Sequence, residues 1–131
     1  MLPNIPGHLP SLPIYKKALE IVILSRSISA YLNYDLVDLL PNGRENKHIY
    51  FSGDIVQQSI SLAPEIEKAE KENFLDKKHK HALNVYELTN RLYKSCSRLE
   101  VSNSNGKDYL SVLRNELKTF RKLQRSWMLT F

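Results

Sequence analysis

Five cations near the end of the chain fall at spacings that put them on one side of a helix. Arg114, Lys118, Arg121, Lys122 and Arg125 stand at i, i+4, i+7, i+8 and i+11, positions that 3.6 residues per turn brings into line. Like charges at i,i+4 repel mildly, and Glu116 is the one carboxylate inside the stretch. Such a row suits a polyanion. Each phosphate it neutralises releases counterions, and the arginine fork matches phosphate better than the point charge of lysine. The preceding helical segment adds Lys80, Arg91, Lys94 and Arg98 on its polar side. Arg91, Lys94, Arg98, Arg114, Lys118, Arg121, Lys122 and Arg125 are the candidate phosphate contacts. An acidic protein or a neighbouring subunit could meet the same charges, so this pattern alone leaves the partner open.

The other reactive residue types do not assemble into a catalytic or metal-binding motif. The sequence holds no Gly-rich phosphate loop and no nucleophile elbow. His79 and His81 are two apart and diverge on a helix, whereas a zinc pair needs i and i+4. Cys96 lies on an apolar stripe with no histidine near it in sequence, the pattern of a core residue. Glu65, Glu67, Glu70 and Glu72 interleave with Lys68 and Lys71 as a solvated, ion-paired helix end. No enzyme activity, cofactor or metal is expected.

Helices must carry these residues. The chain has 131 residues, 42% hydrophobic and 25% charged, with four glycines, which fits one globular domain. Residues 1–12 hold Pro3, Pro6 and Pro10 and read as an extended arm. Pro13 opens a first helix over 13–32, with Ile14, Ala18, Ile21, Val22, Ser25, Ile28, Ser29 and Leu32 on its apolar face. A long connection at 33–48 contains the turn signal Pro41-Asn42-Gly43. The second helix spans 47–72, its stripe built from Ile49, Ser52, Val56, Ile60, Ala63, Ile66 and Ala69, with Gly53 and Ser59 allowing close helix approach. Pro64 predicts a kink there, because it cannot donate to the Ile60 carbonyl and crowds it. The third helix, 74–100, has Asn73 as N-cap and a stripe of Leu75, Ala82, Tyr86, Thr89, Tyr93, Cys96 and Leu99, widened by Leu83, Leu88 and Leu92. After a Ser102–Gly106 loop, the fourth helix (107–128) carries a heptad-like seam of Leu110, Leu113, Leu117, Phe120, Gln124 and Trp127. The expected fold is all-α, an antiparallel up-down four-helix bundle over 13–131.

Charge is divided unevenly along the chain. Residues 1–76 hold seven Lys/Arg against ten Asp/Glu, a net −3, and residues 77–131 hold twelve against four, a net +8. A basic half beside a mildly acidic one hints at a polyanionic partner, RNA or DNA. One cysteine permits no internal disulfide, which favours the cytoplasm. The longest apolar run, Ile21 to Leu24, is far short of a membrane span, and the first residues do not read as a signal peptide.

Several stretches resemble a known family. Leu12-Pro13-Ile14-Tyr15-Lys16 is similar to the entry into helix one of accessory variability determinant (Avd) proteins of diversity-generating retroelements. Those proteins are relatives of the rRNA intervening-sequence four-helix-bundle proteins. Ser61-Leu62-Ala63-Pro64-Glu65-Ile66 looks like the family's Ser-Ile-Pro-Ser-Asn-Ile segment. Phe74-Leu75, Ala82-Leu83 and Glu87-Leu88 match its helix-three rhythm. The resemblance spans about 13–128 and implies a homo-oligomer, a pentameric barrel, that binds nucleic acid through basic surfaces and works beside a reverse transcriptase. The expected function is therefore a non-enzymatic, Avd-like nucleic-acid-binding accessory protein. A structural or protein-interaction bundle is the alternative.

Overall fold

The computed structural model describes the backbone of residues 7–36, 48–100 and 108–131, with side chains over 7–32, 53–100 and 108–131. Five α-helices follow a short 3-10 turn: α1 (Pro13–Leu36), α2 (His48–Ile60), α3 (Leu62–Lys71), α4 (Leu75–Glu100) and α5 (Asp108–Met128). The described residues contain helix and turn but no strand. Helices α2 and α3 together form the second of four rods.

The rods pack as a bundle in which α4 and α5 are antiparallel neighbours, as cross-helix contacts show. Gln124 Nε2 donates to the Ala82 carbonyl at 3.0 Å, and Arg114 near the start of α5 meets Glu100 at the end of α4. On the other flank of α5, Lys17 Nζ lies 2.8 Å from Glu116 Oε2 and 2.8 Å from Glu20 Oε2. The hydrogen bonds to Glu116 and then Glu20 raise the Lys17 pKa. Across α2 and α4, Ser95 Oγ donates to Gln58 Oε1 at 3.0 Å.

The α5 seam is the most regular part of the core. Leu110, Leu113, Leu117, Phe120, Gln124 and Trp127 are all buried, at alternating three- and four-residue spacings. Helix α1 buries Ile14, Ala18, Ile21, Ser25, Ile28, Ser29 and Leu32, with Val22 half-buried at the edge.

The second rod breaks at Ser61, three residues before Pro64. Leu62 opens α3, so Pro64 occupies its first turn, where a backbone N–H has no intrahelical partner to lose. The core phase in α2 differs from the expected one. Ile55 and Ser59 are buried, Val56 is half-buried and Ile60 is exposed. Ile55 and Val56 are adjacent, so either phase buries one of them. The seat at Ile55 continues through Ser59, Leu62, Ile66 and Ala69 at regular spacing. Gly53 is exposed, and a Cβ there would meet nothing within 4 Å, so it mediates no close approach.

Three further expectations are revised. Residues 9–11 form a 3-10 turn rather than an extended arm, with Pro10 fixing its first positions and Leu9 fully buried. At the start of α4, Glu72 Oε1 accepts the N–H groups of Asn73 and Phe74 at 3.2 and 3.4 Å. Both N–H groups precede Leu75, so Glu72 ties the turn that leads into α4, and α4 starts two residues past Asn73, which is therefore not its N-cap. Helix α1 runs on to Leu36, four residues past its expected end. Residues 37–47, with the Pro41-Asn42-Gly43 turn, and the loop at 101–107 lie outside the described residues.

Candidate functional site

Three cations of α5, Arg114, Arg121 and Arg125, border α4, and Lys118 and Lys122 are exposed beside them. The core seam occupies one side of the helix, Glu116 points to α1, and Arg114 and Arg121 reach across to α4. Arg114 Nη1 sits 3.2 Å from Glu100 Oε2. This contact is single rather than a fork, because Arg114 Nε and Glu100 Oε1 are buried without hydrogen-bond partners. Glu100, not Glu116, therefore relieves the repulsion along the stripe, and it does so across the helix interface.

Arg121 is half-buried and held from two sides. Its Nη2 donates to Asn90 Oδ1 at 2.6 Å, and its guanidinium carbon lies 4.9 Å from the centre of the Tyr93 ring, within cation–π range. Lys118, Lys122 and Arg125 are exposed. Lys94 and Arg98 are exposed on α4, successively further round the helix from Asn90. Arg91 diverges from this group. It lines a separate cleft toward α3 that also contains Glu65, Asn84 and Glu87.

The groove between α4 and α5 deepens into a cavity of about 300 Å³ lined by Tyr86, Asn90, Arg121, Gln124, Arg125 and Met128. Tyr86 was expected in the core, but its side is 50% exposed. Val85 takes the core seat instead, because Val85, Thr89, Leu92, Cys96 and Leu99 form an unbroken four-three seam, all buried. Leu83 and Leu75 are likewise exposed. Periodicity alone leaves Val85 and Tyr86 competing for one seat, and the packed seam decides for Val85.

Other titratable groups tie the bundle together near the C-terminal end of α5. His8 Nε2 and Glu70 Oε2 are 2.9 Å apart, and Trp127 Nε1 donates to Glu70 Oε1. Burial alone would raise the Glu70 carboxyl, but His8, Trp127 and the charge of Lys78 outweigh it and hold the pKa below 4.5. Glu65 follows the same logic. Its desolvation is overcome by His81 at 3.0 Å, Asn84 at 3.2 Å and Lys68, so its pKa is also lowered. His79 packs edge-on against Phe131. Cys96 is fully buried, and burial first, then Glu100, pushes its thiol up to about 12 despite Arg114. Such a thiol stays protonated at neutral pH and is a poor nucleophile. Among the described residues, no three His, Cys, Asp or Glu side chains cluster as a metal site, and no helix is long and apolar enough to cross a membrane.

Chemically, the α4–α5 face offers guanidinium and ammonium donors, an amide, and an exposed aromatic ring at its edge. That set can bind an anion or a nucleotide. Comparison of the chain with family models, curated proteins and solved structures returns no match.

Proposed function

We propose that this protein is a non-enzymatic nucleic-acid-binding accessory protein whose α4–α5 face contacts phosphates. The observation that carries the reading is the pairing of Arg121 and Arg125 at the α4–α5 cavity, with Arg121 already oriented by Asn90 and Tyr93 and with Lys118, Lys122 and Lys94 exposed on the same two helices. Arg98 is exposed on α4, Arg114 is neutralised by its pair with Glu100, and Arg91 belongs to the neighbouring cleft. Phosphate contacts carry no base information, so binding is weakly sequence-selective. The resemblance to Avd proteins supports a retroelement setting with a reverse transcriptase as protein partner, and a homo-oligomer, five subunits by that resemblance.

The test compares wild type with a Lys118→Ala/Lys122→Ala/Arg125→Ala variant and with Lys16→Ala, an exposed cation on α1, against several unrelated DNA and RNA oligonucleotides. The triple variant loses affinity about equally for every sequence, and Lys16→Ala does not. Equal binding by wild type and the triple variant would place the contact on another face.

One observation favours the protein-interaction reading. Tyr31 and Tyr109 meet edge-to-face at 5.6 Å between α1 and α5 and border an apolar cleft of about 330 Å³ with Leu24, Ser27 and Ile28. This cleft lies on the opposite flank of α5 from the cations, so a protein contact there and a nucleic-acid contact on α4–α5 are compatible.

A further inference from the structure

The α4–α5 cavity changes character from one wall to the other. Tyr86 and Met128 supply an apolar, polarisable side, Arg121 and Arg125 supply cations, and Asn90 supplies an amide edge, all around about 300 Å³. That volume stands at the small end of ligand sites. Tyr86 is half exposed while its neighbour Val85 fills the core, so the ring is not needed for packing at that seat. Arg121 is preorganised by Asn90 and by the Tyr93 ring, which lowers the ordering cost of binding. The Asn90 Oδ1 is occupied by Arg121, which turns its amide NH2 into the group available to a hydrogen-bond acceptor.

A ligand complementary to these walls has a flat apolar face, an edge of hydrogen-bond acceptors and an attached anion. We propose that the cavity receives one unpaired nucleotide of a single-stranded nucleic acid, its base against Tyr86 and its phosphate on Arg121 and Arg125. This rests on the reading of α4–α5 as a phosphate-binding face and adds the strandedness of the ligand. In a duplex both faces of each base are already stacked, so Tyr86 gains nothing unless a base flips out at a cost of a few kcal/mol. In a single strand the base is available, and stacking on an aromatic ring tolerates any sequence. The cations alone would bind duplex and single strand alike. Tyr86 makes the difference.

The experiment measures fluorescence anisotropy of a labelled oligo(dT) of about 15 nucleotides, a length that covers one binding site, and of a duplex of the same length, at one low salt concentration. The full chain is used as wild type, Tyr86→Leu and Tyr86→Phe, each checked by circular dichroism. Wild type prefers the single strand. Tyr86→Leu loses about 5- to 150-fold in single-strand affinity, the range that stacking of one base spans, and its preference over duplex collapses. Tyr86→Phe keeps both. If Tyr86→Leu matches wild type on the single strand, or weakens both ligands equally, the nucleotide cavity is refuted and the phosphate-binding face survives. If wild type binds neither ligand, both readings fall.

Discussion

Removing the Phe120 ring tests the α5 seam that positions the whole cationic face. Phe120 is fully buried, flanked on the seam by Leu117 and Gln124, which are buried too. Phe→Ala in a core costs about 3–5 kcal/mol, the sum of lost transfer energy and the cavity left behind. Leu117→Ala costs about 2–5 kcal/mol by the same reasoning. Domains of this size have a total stability of roughly 5–15 kcal/mol, so Phe120→Ala takes a large fraction of it. With roughly 4 °C lost per kcal/mol, the melting temperature falls by about 12–20 °C. The neighbouring Thr119 is exposed and, among the described residues, bonds to the Asn115 carbonyl of its own helix, so Thr119→Ala stays within about 0.5 kcal/mol of wild type. Urea unfolding followed by circular dichroism reads both, with an unchanged m value showing that stability alone has moved. A cost below about 1 kcal/mol for Phe120→Ala would mean that the ring does not fill the core and that the seam is misassigned.

Gly53→Ala stabilises by about 0.5–1 kcal/mol, because a glycine inside α2 with open space around its Cβ position gives up backbone entropy for no packing gain; a destabilised Gly53→Ala in urea unfolding contradicts this. Glu70 and Glu65 have lowered pKa values in the folded state, so the stability they contribute is present above 4.5 and is lost as pH falls through their folded values. Trp127, the only tryptophan, donates to Glu70, so its fluorescence reports that titration. The expected midpoint lies below 4.5, and Glu70→Gln removes the transition; a midpoint at or above 4.5 contradicts the stated balance of burial and donors.

Long amphipathic periodicity made most of the fold readable. The α5 seam is legible residue by residue because Leu, Phe and Trp alternate at three and four with charges between them. The α1 face is nearly as clear. The sequence is ambiguous where two apolar residues adjoin, as at Ile55-Val56 and Val85-Tyr86, because periodicity cannot tell which of the pair turns inward. The choice is made by the neighbouring rods, which favour the seat in register with Leu62 and Ile66 in one case and with Thr89 and Leu92 in the other. The cation row was visible from spacing, but its partners were not. Glu100, Asn90 and Tyr93 reach Arg114 and Arg121 from another helix, and Arg91 lines a different cleft, with Glu65 and Glu87. The aromatic wall of the cavity was hidden by the same Val85-Tyr86 ambiguity. The ion-paired end of the bundle joins residues as distant in sequence as His8, Glu70 and Trp127, a juxtaposition that only folding creates.

The central claim is that the α4–α5 face binds nucleic acid through phosphates, and the salt dependence of affinity tests it most directly. Anisotropy titrations of a single-stranded oligonucleotide at several salt concentrations give log K against log salt, whose slope is about −0.7 per phosphate neutralised on a single strand. Wild type shows a steep negative slope. The Lys118→Ala/Lys122→Ala/Arg125→Ala variant removes three exposed cations from the face, so its slope is shallower by about two units. Tight binding that ignores salt, or the same slope for both proteins, would contradict the account.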